Sequence, residues 1–415
     1  MTALTSVIFL AVHSVEVRTQ AQALEEQIRG RFQSFEIAAS SCGAIANPEV
    51  DDTQALQRCI DSLPVYATLD GEGKTYLVST LSLKSKMRLR RFSFLKFAGV
   101  ANMTSVINLD GRRDAQSDVV LEDIRINGMR GFERAMVTPS AEDGGRHCFR
   151  VAGKVRDVVL ANVEGNYCGT DGLQLGGHHA TLSDAPEQLA VQNVVVRGAR
   201  FHWNRRVGIA FEGAHNVFFV NVEAKFNGRT IANETDRTSG AHCAHVNGYC
   251  FGSGVWTEND HDAAGGSFDS VYFVNLNATG NEVRGFYAFS QSGPKVAGFR
   301  TKGNLAILDS TIDAGINPIA GNPIAVQFNS NSPDAGGAVY DGIVIAGSTI
   351  DGTICGRLLA NLAVRSSRVT AALMGFLEYF DNVTVTGVER RGDFLSSLWL
   401  RPDGAAGAVV RYEVR

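Results

Sequence analysis

Several things are scarce in this sequence, and each scarcity narrows what the chain does. There is no excess of positive charge: Lys and Arg total 39 against 43 Asp and Glu, a net charge of −4. That leaves no electrostatic footprint for nucleic acid. No apolar run approaches the roughly 20 residues a membrane-spanning helix needs, so no membrane span is expected. Charged residues make up 20% of the chain and prolines number nine. None of the seven cysteines falls in a CxxC pair, so a structural zinc site is weakly supported.

What is abundant is glycine, 44 residues in 415, together with β-branched and aromatic runs. High glycine with few long charged side chains suits short strands joined by many tight turns. From residue 157 one phrase returns: a β-rich run, an Asn, a second β-rich run, a second Asn, then Gly leading into an alternating strand. It reads DVVLANVEGNYCGTDGLQLGG at 157–177, QNVVVRGARFHWNRRVGIAFEG at 192–213 and NVFFVNVEAKFNG at 216–228. The last of these resumes as GSGVWTEN at 252–259 after an insertion, and SVYFVNLNATGNEVRGFYAFSQ follows at 270–291. Weaker copies occupy 306–315, 341–352 and 381–388.

Strand-length pieces recurring at this period without helical periodicity between them indicate a solenoid. The constant Asn and Gly offsets separate it from a β-sandwich. Asn tolerates the left-handed conformation of a sharp corner, and stacked Asn side chains can hydrogen-bond from coil to coil. The expected fold is all-β, a single right-handed parallel β-helix with a short N-terminal helical cap. Residues 1–23 read as a signal or disordered segment and 24–415 as one domain. Within it 24–63 form the cap, 64–390 the coils and 391–415 a C-terminal cap.

The start carries the apolar stretch TSVIFLAV (5–12) and a small-x-small Ala21-Gln22-Ala23. It is expected to be either a cleaved export signal or a poorly ordered lead into a short amphipathic helix over Leu24–Phe35. Secreted or periplasmic localisation follows from the first alternative. Cys42 with Cys59, and Cys243 with Cys250, lie close enough in sequence for disulfides, and Cys355 in an apolar stretch is the natural buried free thiol. Sequons begin at Asn102, Asn233, Asn277 and Asn382.

The segment DDTQALQRCIDSLP from Asp51, followed by ATLDGEGKTYLVSTLSLKSKMRLR (67–90), resembles the N-terminal signature of the pectate-lyase superfamily of right-handed β-helices. There a paired acid and a Thr open a helix, and a Gly-x-Tyr-like turn begins the first coils. The resemblance covers residues 40–130 by motif and the rest by repeat style. It implies the fold and leaves the activity open, because hydrolases, lyases, epimerases and phage tailspikes share it.

Aligning Cys148, Gly172, Gly208, Gly254 and Gly285 as one position per coil sorts the strands by face. Phe149, Leu173, Ile209, Val255 and Phe286 then point inward, as do Val151, Leu175, Phe211, Thr257 and Ala288. The outward columns are Arg150, Gln174, Ala210, Trp256, Tyr287 and Ala152, Gly176, Glu212, Glu258, Phe289, preceded by His147, Asp171, Val207, Ser253, Arg284. This gathers an exposed groove suited to a sugar chain, with aromatic faces for the rings and polar groups for the hydroxyls.

The catalytic candidates are Glu212 and Glu258, neighbours in adjacent coils, where crowding of like charges would raise one pKa and supply an acid beside a carboxylate. Asp171 joins them, because Gly169-Thr170-Asp171-Gly172 resembles the Asn-Thr-Asp-Gly motif of polygalacturonase-type hydrolases; its other reading is a turn residue. Where those hydrolases carry paired aspartates this chain has Arg205-Arg206, and their Gly-His-Gly and Arg-Ile-Lys motifs are absent. Substrate contacts are expected from Arg150, Gln174, Arg206, Trp256, Arg284, Tyr287 and His178. The insertion 229–251 holds His242, Cys243, His245 and Cys250, with Asp260, His261 and Asp262 beyond. It reads more readily as a disulfide-pinned loop than as a metal site.

The expected function is cleavage of glycosidic bonds in a polysaccharide or oligosaccharide by a glycoside hydrolase using the Glu pair, with no cofactor. The alternatives are a uronate lyase or epimerase, using Arg150, Arg206 and Arg284 with His147 or His178, and a non-catalytic glycan-binding tailspike or adhesin.

Overall fold

The computed structural model describes residues 2–96, 105–128, 147–176, 191–211, 213–228, 245–246, 249–250, 252–259, 269–290, 300–301, 304–316, 323–330, 339–370, 374–381, 383–390, 400–401 and 410–414. The recurring phrase winds into a right-handed parallel β-helix. Every strand pairs in parallel with its counterpart one coil on, except a short antiparallel hairpin, His245–Val246 with Tyr249–Cys250.

Three faces form because each phrase has two corners. Strand Phe149–Ala161 shows this directly: its first half pairs with Leu173–Leu175 and its second with Val191–Arg197. The third face stacks Glu164–Asn166 beside Arg200–His202. Corner residues take positive φ, as at Asn162, Asn193, Asn216, Asn221 and Asn275. Several of these Asn side chains bond from coil to coil, Asn216 to Asn193 at 2.8 Å and Asn275 to Asn221 at 2.9 Å.

A second Asn ladder lies wholly inside. Asn204, Asn227 and Asn281 are each fully buried. Nδ2 of Asn204 donates to Oδ1 of Asn227, and Nδ2 of Asn227 to Oδ1 of Asn281, each at 3.0 Å. The glycines that follow them are forced: a Cβ on Gly208 would lie 2.8 Å from the Gly254 carbonyl oxygen, and one on Gly254 would lie 2.8 Å from that of Gly285.

The inward columns hold the expected register. Leu173 pairs with Ile209, Ile209 with Val255 and Val255 with Phe286. Their neighbours Leu175, Phe211, Thr257 and Ala288 stack in the same way, and both columns are buried.

The N-terminus departs from expectation. In place of a disordered start and a short helix over Leu24–Phe35, one 28-residue helix, α1, runs Thr2–Arg29. Ser14, Val17, Ala21, Glu25 and Ile28 are buried on one stripe, at the three- and four-residue spacing of a helix face. That stripe lies across successive coils of the second face, against Val120, Val159, Val195, Phe218, Val220, Val274, Leu308 and Ala346. Ion pairs fasten its end: Glu25 with Arg197 at 2.9 Å, Arg29 with Glu122 at 3.1 Å and Arg31 with Asp157 at 2.9 Å. The strands beneath are apolar on both faces, so they need this outer cover.

The segment 24–63 is therefore a composite. It contains the end of α1, strand Glu36–Ala38, a 3-10 turn Ala39–Cys42 and helix α2, Thr53–Ser62. Asp51 accepts a hydrogen bond from the Thr53 backbone N–H at 2.9 Å, and Asp52 takes those of Ile45 and Ala46 at 2.8 and 3.0 Å. Leu56 and Ile60 of α2 enter the core, and the expected Cys42–Cys59 disulfide holds the helix to the turn.

Candidate functional site

The first face presents one row of side chains at a single register over seven coils: Asn108, Arg150, Gln174, Ala210, Trp256, Tyr287 and Gln327. Five of these are the expected outward column. Their expected exposure is corrected, however. Gln174 is 5% exposed, and Trp256 and Tyr287 are 3% each. They pack on one another instead of standing free. Trp256 and Tyr287 meet edge to face at 5.3 Å and cluster with Val207 and Ala210. Arg150 donates to Gln174 Oε1 at 3.1 Å and Asn108 Oδ1 at 3.3 Å, and lies 3.6 Å from Asp110.

The column before this row carries the titratable groups. Asp171 is fully buried, in the turn that hydrogen-bonds to the start of the neighbouring strand through Cys148 N–H at 3.0 Å. Arg206 grips it through Nε to Oδ1 at 2.8 Å and Nη2 to Oδ2 at 2.7 Å. Arg206 also lies over the Trp256 ring, 6.0 Å from its centroid. His147 Nδ1 faces Asp171 Oδ2 and Thr170 Oγ1, each at 3.0 Å.

Burial alone would raise the Asp171 pKa, but the Arg206 charge, its hydrogen bonds and that from His147 outweigh it and hold the carboxyl well below the usual range. The pairing with Arg206 thus favours the carboxylate form of Asp171. In the structure Asp171 sits in a turn and is held there by Arg206. Burial pushes the His147 pKa down, with Asp171 acting against it. An imidazole that is neutral and gives its Nδ1 proton to Asp171 keeps a lone pair on Nε2.

Of the expected acid pair the structure describes the flanking register and the backbone of Glu258. Val207 pairs with Ser253 and the register continues to Phe211 opposite Thr257, the residues just before Glu212 and Glu258. Glu258 lies in strand Ser253–Asn259 opposite Phe289. Glu212, His178, Cys243 and the side chain of Glu258 lie outside the described residues. Of the insertion's candidates, His245 and Cys250 face each other across the hairpin. Among the described residues no three His, Cys, Asp or Glu converge as metal ligands.

Two features escaped the sequence reading. Cys148 and Cys168 form a disulfide that ties the Asp171 turn to the strand bearing Arg150. The signal was their spacing of 20 residues, close to one turn of the repeat. Gln327, one coil past Tyr287, extends the row. Cys355 is a buried thiol outside both disulfides, as expected.

No protein-family model and no curated protein matches the sequence. Solved structures do match, at fold level. A surface adhesin of Streptococcus pneumoniae, PfbA, aligns with TM-score 0.53 and 13% identity over 88% of this chain and 93% of its own. The family 28 exopolygalacturonase of Yersinia enterocolitica aligns at 0.50 and 14%, over 88% and 77%. The pre-mature bacteriophage phi29 gene product 12 aligns at 0.51 and 11%, over 86% of this chain and 52% of its own. Together with the all-parallel sheet, these likenesses show the fold, a parallel β-helix.

Proposed function

We propose that the protein is a secreted or periplasmic carbohydrate-active enzyme that cleaves glycosidic bonds of a polysaccharide laid along the first face. The observation that carries this reading is the single row from Asn108 to Gln327. It aligns polar and aromatic side chains at one-coil intervals of about 4.8 Å, with Asn108, Arg150 and Gln327 partly exposed. Hydrolysis by Glu212 and Glu258 is the proposed chemistry, with Arg150, Gln174, Arg206, Trp256, Arg284, Tyr287 and His178 as the substrate contacts. The register that brings Phe211 opposite Thr257 supports the pairing. Two disulfides agree with an oxidising compartment.

One observation favours elimination on a uronate instead. His147, oriented by Asp171 through Nδ1, offers Nε2 as a base, and Arg150 is a cation for the sugar carboxylate. Digestion of a glycan panel separates the readings. New reducing ends without ultraviolet absorbance, lost in Glu212→Gln or Glu258→Gln, are expected. Unsaturated products abolished by His147→Gln would instead establish elimination. Binding without products would make the protein a glycan reader.

A further inference from the structure

Ser253 and Arg284 are register partners on adjacent strands, in the column that carries Asp171 and His147. The column faces the Trp256–Tyr287 side, since Val207, which pairs with Ser253, packs with those rings. Both residues are out of solvent, Ser253 at 0% and Arg284 at 4% exposure. Ser253 Oγ and Arg284 Nε are both buried without a hydrogen-bond partner.

Among the described residues the other contacts of Arg284 are uncharged and include a side-chain hydrogen bond with Tyr287. Nη1 donates to Gln327 Oε1, and the guanidinium lies over the Tyr287 ring, 4.1 Å from its centroid. The nearby groups that support its charge are Tyr287 and Cys355. No carboxylate among the described residues pairs with it. The contrast is Arg206 in the same column, whose charge is matched by two bonds to Asp171. A buried cation without a counter-charge is costly unless something negative joins it. A planar guanidinium with a free N–H beside a free hydroxyl is a fitting receptor for a two-oxygen or three-oxygen anion. Gln327, whose Oε1 accepts from Arg284, is only partly buried.

We propose that Ser253 and Arg284 form a subsite for an anionic group on a glycan, a uronate carboxylate or a sulfate ester. Arg284 donates through Nε and Ser253 through its hydroxyl. This deepens the reading of the first face as a glycan site and rests on it.

Saturation-transfer NMR on the full chain with D-glucuronate, glucose 6-sulfate and D-glucose tests the subsite. One or both anions are expected to bind and neutral glucose not to, and the anion that binds identifies the carboxylate or the sulfate as the natural group. Arg284→Gln should weaken anion binding by at least about tenfold, Arg284→Lys less so, and Ser253→Ala by an intermediate amount. If Arg284→Gln fails to fold, the Ser253→Ala result decides. Equal binding of glucose and the anions, no binding of either anion, or unchanged anion binding in these variants overturns the subsite. Cleavage of a neutral glycan with no anion binding would remove the subsite and leave the cleavage reading standing. Anion binding with no glycan cleaved would do the reverse.

Discussion

Arg206 closes on Asp171 with two parallel hydrogen bonds, 2.8 and 2.7 Å, across 35 residues of sequence. Removing one partner leaves the other charged and unmatched, because Asp171 is fully buried. Asp171→Asn or Arg206→Ala is expected to cost about 3–5 kcal/mol in urea unfolding. Joint replacement by Leu and Met should recover much of that loss. Additive losses in the double variant would mean the two side chains do not act as a pair.

His147 makes stability depend on pH. Its folded pKa is lowered, chiefly by burial among Asp171, Thr170, Arg206 and Arg150. Its stabilising contribution is therefore complete above the unfolded value of about 6.5 and is lost as pH falls toward the folded pKa. His202 is lowered by burial in the same direction. The slope of stability between pH 7 and 5 is expected to shrink in His147→Gln, by up to about 1.4 kcal/mol per pH unit. An unchanged slope would show that His147 is not the group titrating.

Asn227 gives hydrogen bonds to Phe201 O and Asn281 and receives them from the backbone and side chain of Asn204. Asn227→Ala strands these groups in a dry interior and should cost about 2–4 kcal/mol, far more than an exposed corner such as Asn275→Ala. Equal losses at the two positions in thermal unfolding would contradict the ladder's role.

The Cys148–Cys168 disulfide closes a 20-residue separation around the site turn. Replacing both cysteines by Ala is expected to remove about 3 kcal/mol, by widening the unfolded ensemble. Reductant should then have a smaller effect on the variant's denaturation midpoint than on the parent's.

Ile28, on the inner face of α1, is fully buried against Val120, Val159 and Ala161. Ile28→Ala should cost about 2–4 kcal/mol, and hydrogen exchange should accelerate through residues 13–29 first. Exchange unaltered there would mean that α1 is held by its ion pairs alone.

The coil register was legible because it is written locally. Alternation within a strand, Asn at a left-handed corner and Gly where the next coil's carbonyl presses close depend on a few neighbouring residues repeated many times. They recover both core columns, the outward row and the first disulfide. The candidate site was legible as a set of positions, since register alone puts Arg150, Gln174, Trp256 and Tyr287 in line.

Tertiary structure decided what covers those positions and what they pair with. The runs at 194–196 and 217–220 are apolar at successive positions, but the outer partner of their strands is a helix from the far end of the chain, beyond any local pattern. Asp171 reads the same in sequence whether it is an acid or an anchor. Only the approach of Arg206 from the next coil holds its carboxyl below the usual range, because charge pairing in a buried site depends on distances of a few ångströms that no repeat spacing specifies.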